Sequence, residues 1–340
     1  MTGRLTVQAA GPQLTVQDEG RYGYLAQGIT RGGAADLQAL KEAAALLRQN
    51  PQAAAIEMVG TGGAFSVDRD TTFALTGAEM AVDIDGAPLR WNASHVLPAG
   101  ARLTIGGARN GVYGYLSVSG GFDTELLLDA RAAHLKAEIG APLQPGDILP
   151  LVPGAQSLPG LCLEPELRFA GGDVRVIASA QTSAFSDESL ARFEETVFTR
   201  DPRGNRQAVR LASEGDGFAV EGGLSIVSEV ITEGDIQITG DGSPYVLMCE
   251  CQTTGGYPRI ATILPSDLPL VAQTPPGAPL RFSFVTMQEA CRLEVAARKT
   301  QRALPAQVKP ILRDPAEIPD LLGYQLISGA ISADTDPFES

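Results

Sequence analysis

The clearest periodicity in the chain lies between residues 37 and 49, where Leu37, Leu40, Ala44 and Leu47 recur at spacings of three and four. That spacing puts them on one stripe of an α-helix. Asp36 stands before the stripe as an N-cap, and Asn50-Pro51 ends it. Almost everywhere else the period is two, which marks half-buried strands. Leu5-Thr6-Val7 and Leu14-Thr15-Val16 open the series. Val82 and Ile84 alternate with Asp83 and Asp85, and Asp85-Gly86 supplies a hairpin turn. Leu103 and Ile105 flank Thr104, while Leu116 and Val118 alternate with Tyr115, Ser117 and Ser119. Residues 142–147 form a turn before Ile148-Leu149. Further on, residues 174–177, 225–230, 236–239 and 245–249 read as strands, with Asp241-Gly242 as a turn. Residues 185–198 read as a helix capped by Ser186 or Asp187, and 289–302 as a short charged helix.

The pattern predicts a mainly β protein with a few helices. Its 340 residues suit two domains. Pro153, Gly154, Pro159, Gly160 and Pro165, with Pro150 just before them, mark 151–168 as a linker between domains at 1–150 and 169–302. Residues 303–340 turn proline-rich and acidic and read as an extended tail with little packing of its own.

The formal net charge of −14, with no cluster of Lys and Arg, argues against nucleic acid and against anionic membrane surfaces as partners. No apolar run reaches the ~18–20 residues of a membrane span, and the first residues lack the apolar stretch of a signal peptide. A soluble, cytoplasmic protein is expected. Cys162, Cys249, Cys251 and Cys291 fit reduced thiols, and a metal site would need more ligands than His95 and His134 supply.

No phosphate-binding glycine loop, zinc signature or Ser-His-Asp arrangement is present. Carboxylates, arginines, hydroxyls and backbone N–H groups are left to carry chemistry. The run Gln252-Thr253-Thr254-Gly255-Gly256-Tyr257-Pro258 follows an apolar strand and offers an amide, two hydroxyls and a glycine pair that lets backbone N–H groups cradle an anion. A hairpin corner gives the same pattern. A second candidate is the N-terminal loop, Gln17-Asp18-Glu19-Gly20-Arg21 and Arg31-Gly32-Gly33-Ala34-Ala35-Asp36, where arginine forks suit a carboxylate. A surface ion pair with a helix cap also explains it. Asn205-Arg206 with Arg210 is a third, and Asp267 and Gln273 flank Leu268-Pro269.

These motifs, taken in order, resemble one family: the C subunit of 5-oxoprolinase, KipA, allophanate hydrolase subunit 2 and the carboxyltransferase part of urea carboxylase. Gln17-Asp18, Gly20-Arg21 and Gly23-Tyr24 fit its opening motif, followed by Gly28, Arg31, Gly33-Ala34 and Asp36. Leu75-Thr76-Gly77-Ala78, Tyr115 to Asp123, Asn205-Arg206, Ile236-Gln237 and the 252–258 run follow at the family's intervals over roughly residues 5–290. The resemblance implies two cyclophilin-like β-barrels and work beside a KipI-like partner protein. Together with a LamB/YcsF-like protein, such complexes hydrolyse 5-oxoproline to glutamate using ATP. Relatives in urea carboxylase transfer a carboxyl group from carboxybiotin, and KipA is a regulator. Three readings follow: a component of an amidohydrolase, a carboxyltransferase acting on urea or another small amide with biotin, and a non-catalytic regulator. Catalytic roles are expected for Thr253, Thr254, Glu250 and Asp36. Substrate contacts are expected from Arg21, Arg31, Gln252, Gly255, Gly256, Tyr257, Arg131, Arg206 and Gln273. The site is expected where the 252–257 segment meets Arg21, Arg31 and Asp36, so that an arginine of one half and N–H groups of the other stabilise an oxyanion. One departure stands out: where the family commonly has Gly-Ser-Arg-Ser-Thr, this chain has Asp129-Ala130-Arg131-Ala132-Ala133.

Overall fold

The period-two segments of the first half become two antiparallel sheets packed face to face. In the computed structural model, which describes residues 3–153, 157–164, 166–218, 220 and 227–312, one sheet has six strands. Their order is Ile148–Pro150, Arg4–Ala10, Gly63–Val67, Leu103–Ala108, Met80–Ile84 and Ala87–Pro88. The other has seven: Leu14–Gln17, Ala55–Val59, Tyr113–Val118, Thr71–Gly77, Ala93–Leu97, Leu161–Cys162 and Lys309–Pro310. Leu5, Val7 and Phe65 from the first meet Ile56, Met58, Leu116 and Val118 from the second in one core. Each such side chain contributes about 1.5–3 kcal/mol when fully buried. Asp85 and Gly86 both take positive φ in the hairpin after Met80–Ile84, as the Asp-Gly pair predicts.

The second half closes into a seven-stranded barrel. Gly172–Ile177, Arg259–Ile263, Asp235–Ile238, Pro244–Leu247, Ala208–Ala212, Phe198–Arg200 and Pro279–Phe284 follow one another around it. The last strand pairs in parallel with the first. Inward residues Val209, Leu211, Ile236, Ile238 and Val246 alternate with outward ones, and Phe193 stacks on Phe282 at 5.1 Å at one end.

Four α-helices occur among the described residues. In α1 (Leu37–Leu47), the Asp36 carboxylate accepts from Gln38 N and Ala39 N at 3.0 and 3.1 Å, the expected cap. The helix ends at Leu47, two residues before the expected stop. Helix α2 (Asp187–Glu195) is capped by Ser186 and is shorter than expected, because Phe198 already belongs to the barrel. Helix α3 (Leu268–Gln273) was not expected; Pro269 sits at its start, where its missing N–H costs nothing.

The largest departure is α4 (Met287–Gln307), which runs past the expected end at Arg302 and contains Pro305. Leu304 and Val308 pack against Ala43, Leu46 and Leu47 of α1, and this contact outweighs the lost backbone bond at the proline. The chain after it adds Lys309–Pro310 to the seven-stranded sheet, so residues 303–312 pack against the first half instead of trailing free. Residues 313–340 of the expected tail, and 225–226 of one expected strand, lie outside the described residues. Leu161–Cys162, within the 151–168 linker, pairs with Ala93–Leu97 of the same sheet.

Tyr115, on the face that alternates with Leu116 and Val118, is buried, and so is Tyr113 two residues before it. The barrel covers that face, together with Ala35, Ala39 and Leu40 of the α1 region, so the two halves share one apolar cluster. Among the described residues no helix is long and apolar enough to cross a membrane.

Candidate functional site

The N-terminal loop is locked at two glycines. Gly33 has φ of +69°, and a Cβ there would lie 2.6 Å from Gly20 N, so only glycine lets the two turns interlock. The Asp18 carboxylate accepts from Gly20 N (2.8 Å) and Arg131 N (2.6 Å), while the Arg131 guanidinium reaches Asp123 at 3.0 Å. Arg31 makes a two-pronged pair with Glu233 of the second half, at 3.0 and 2.9 Å, and donates to the carbonyls of Glu19 and Ala34. Its fork is thus committed to holding the loop. Arg21 is 1% exposed and donates to Ala132 O, with Nε and Nη1 unpartnered among the described residues. Burial lowers its pKa, against the pull of Asp18 and Glu250.

This loop abuts the strand end that leads into residue 252. Gly32 N donates to Cys249 O at 2.9 Å, and the Thr30 hydroxyl donates to Cys251 O at 2.9 Å. His134 Nδ1 accepts from Ala137 N, so Nε2 carries the proton and donates to Thr30 Oγ1 at 3.0 Å. Burial first, with Arg21 and Arg206 acting the same way, lowers the His134 pKa below its ordinary 6.5, against Glu250. A depressed folded-state value means His134 contributes stability above about pH 6.5 that is lost as the pH falls through the folded-state pKa. Urea midpoints are therefore expected to fall between pH 7.5 and 5.5, and His134→Gln should reduce that loss. An unchanged pH dependence in the variant would remove His134 as its source.

Deeper, a chain of buried charges joins the halves. Arg206, 4% exposed, donates to Glu57, to Glu250 Oε1 (2.7 Å) and to Gly33 O (2.6 Å). Glu57 Oε2 accepts from Ala35 N (2.9 Å) and Tyr115 Oη (2.7 Å). Burial, then Glu57, raise the Tyr115 pKa, which keeps the phenol protonated as the donor. Asp36 is fully buried; beyond its cap it accepts from Arg168 Nε (2.9 Å) and Gln273 Nε2 (2.8 Å). Arg168 also grips Glu42 with both Nη atoms, at 2.7 and 2.8 Å. Gln273 Oε1 accepts from Val112 N and Tyr113 N. Asp36, Arg206, Glu250 and Gln273 are thus saturated and away from solvent, an arrangement that fixes the halves against each other.

Open space lies elsewhere. Outward positions of three adjacent barrel strands, Ala208 and Arg210, Gln237, and Tyr245 and Leu247, form the floor and side of a cleft of about 340 Å³. Asn205, Gln207, Gln252 and Tyr257 complete its polar wall. Gln237, 7% exposed, has an Nε2 donor without a partner among the described residues, directly beneath Gly255. A Cβ on Gly255 would stand 2.6 Å from that nitrogen, so the glycine makes room for the amide. Arg210 bonds Ser243 Oγ at 2.9 Å and Asp201 at 3.2 Å; Arg203 pairs with the same Asp201. These bonds, Arg203's first, hold the Asp201 carboxyl well below the usual range. Asn205, Gln207 and Gln252 offer carboxamide donors and acceptors to an amide or lactam in this space, with the Gln237 amide covered behind them, and Arg210, already paired with Asp201, stands at its edge.

The expected residues therefore divide. Gln252 and Tyr257 line the cleft and Gly255 shapes it. Thr254 lies exposed on a two-residue strand, Thr254–Gly255, that pairs with Glu229–Val230, with half-buried Thr253 before it and Gly256 after it. Arg21 donates to Ala132 O and Arg31 pairs with Glu233, but neither lines the cleft, and Asp36 belongs to the buried chain. Gln237 and Glu57 were not among the expected site residues. The signals for Gln237 were its polar place between Ile236 and Ile238 and the Ile236-Gln237 motif; for Glu57 it was a charge inside Ala-Ile-Glu-Met-Val. Cys162, Cys249 and Cys251 are buried free thiols, and burial pushes Cys249 up to about 12.

Against known proteins, the model of the carboxyltransferase domain, subdomain A and B, matches residues 27–284. The C subunit of 5-oxoprolinase from Haemophilus influenzae is 32% identical over 287 residues, covering 82% of this chain and 90% of that protein. The urea amidolyase of Lachancea kluyveri is 27% identical over 315 residues, 85% of this chain but 17% of that protein. The crystal structure of Kluyveromyces lactis urea carboxylase superposes with a TM-score of 0.80 at 22% identity, over 92% of this chain and 31% of that one. That likeness is one of fold, and this chain spans about a third of the solved polypeptide. With the matched family model covering most of its length, the whole barrel and most strands of both sheets included, the chain belongs to the carboxyltransferase-domain family of subdomains A and B.

Proposed function

We propose that the chain is one component of an ATP-dependent amidohydrolase of the 5-oxoprolinase type, acting with a KipI-like partner protein and a LamB/YcsF-like partner protein. The observation that carries this reading is the unpaired Gln237 amide in a carboxamide-lined cleft beside Arg210. A lactam carbonyl accepts from such a donor, and a ring carboxylate meets the arginine. Among the described residues, the cleft lining offers no histidine and no carboxylate to act as a base. In this reading the cleft's role is to bind and orient the substrate, while partners bring the proton transfers. The similarity to a protein named as a 5-oxoprolinase component supports the same reading.

A second reading, carboxyl transfer from biotin to a urea-like amide, is favoured by the similarity to urea amidolyase. The same amide-recognising cleft serves either. One experiment separates them: co-purify the chain with the KipI-like and LamB/YcsF-like proteins and measure glutamate release from 5-oxoproline with ATP. Glutamate release that requires all three proteins and ATP is the expected result. Its absence, with carboxylation of urea by an added carboxybiotin carrier, would overturn the amidohydrolase reading.

A further inference from the structure

A second cavity, of about 450 Å³, lies between α1 and α4 and shares no residue with the cleft. Its apolar lining comes from Ala44 and Leu304, and four cations edge it: Lys41, Arg48, Arg298 and Arg302. Among the described residues no carboxylate lines it, although the chain carries a net charge of −14. Among the same residues Arg48, Arg298 and Arg302 form no ion pair, unlike Arg31, Arg168, Arg206 and Arg210. Lys41 donates to Gln301 Oε1 at 2.8 Å; burial lowers its pKa, against Glu19, Asp36 and Glu294, with Arg298 adding to the lowering.

We propose that this groove binds a phosphorylated small molecule with an apolar or aromatic body, on the scale of a nucleoside diphosphate. Guanidinium forks match phosphate oxygens two at a time, and several of them around one space suit more than one phosphate. The volume falls within the usual range for small-molecule sites, and the apolar floor between the helices has room for a ring. The inference is independent of the amidohydrolase reading, because it needs neither partners nor turnover.

The test is calorimetric titration of the isolated full chain with ADP, with pyrophosphate and with adenosine. ADP is expected to bind with a Kd of roughly 10–500 µM at low salt and to weaken as salt rises. Pyrophosphate, which lacks the ring, should bind at least about fivefold more weakly, and adenosine still more weakly. Arg298→Gln with Arg302→Gln should weaken ADP about tenfold or more. Both side chains are exposed, so the doubly substituted protein should melt like the parent. No ADP binding at millimolar concentration overturns the proposal. So does ADP binding that the double substitution leaves unchanged, and so does pyrophosphate binding as tight as ADP.

Discussion

Arg206→Met is expected to lower the unfolding free energy by about 3–5 kcal/mol, because it strands two carboxylates in the interior. Glu57 is fully buried and Glu250 is 3% exposed, and both face Arg206. Coulomb attraction in the pair roughly offsets the cost of taking both charges out of water, so the intact network adds little net stability. Losing one member is different: the remaining charges keep their desolvation cost with nothing to offset it. The loss equals a large share of a typical total of roughly 5–15 kcal/mol. The triple change Arg206→Met, Glu57→Gln, Glu250→Gln should recover most of it. Denaturant midpoints of the parent, the single and the triple variant decide the matter. A single variant within about 1 kcal/mol of the parent would show that the interior is wetter than the geometry implies.

Gln237→Leu carries the second large effect, and it acts in opposite directions on stability and on function. Leucine fills nearly the same space without an N–H. The buried donor that now lacks a partner disappears, so stability should hold or rise slightly. In the complex proposed above, the same change removes the group assigned to the substrate carbonyl, and kcat/KM should drop by roughly 10–1000-fold. Melting curves and turnover on one preparation test both halves of this expectation. A fall in both would make Gln237 a structural residue, and an unchanged turnover would move the substrate out of the cleft.

Local features were legible in the sequence, and convergent ones were not. The Asp36 cap depends on residues two and three positions away, and a reader of the chain can see it. Its partner Arg168 stands 132 residues downstream in a stretch that reads as linker. The 252–258 run was recognisable as special, yet the cleft it borders is assembled from outward residues of strands around 209, 237 and 246, which only barrel closure brings side by side. Tyr113 and Tyr115 illustrate the limit of alternation: a period of two cannot tell a face in water from a face covered by another domain. Pro305 misled in the opposite way. Proline read as a helix stop, but packing of Leu304 against α1 keeps the turn around it helical.

The buried charges that join the halves are not distributed evenly. Asp36, Glu42 and Glu57 come from the first half, whereas Arg168 and Arg206 come from the chain after residue 150. Recombination between related genes is constrained by this division. A first half taken from a relative would be accepted only if it still brought Asp36, Glu42 and Glu57, and a second half only if it still brought Arg168 and Arg206. Exchange of halves within the family should therefore leave these five positions inherited as a set, while the surface around them drifts.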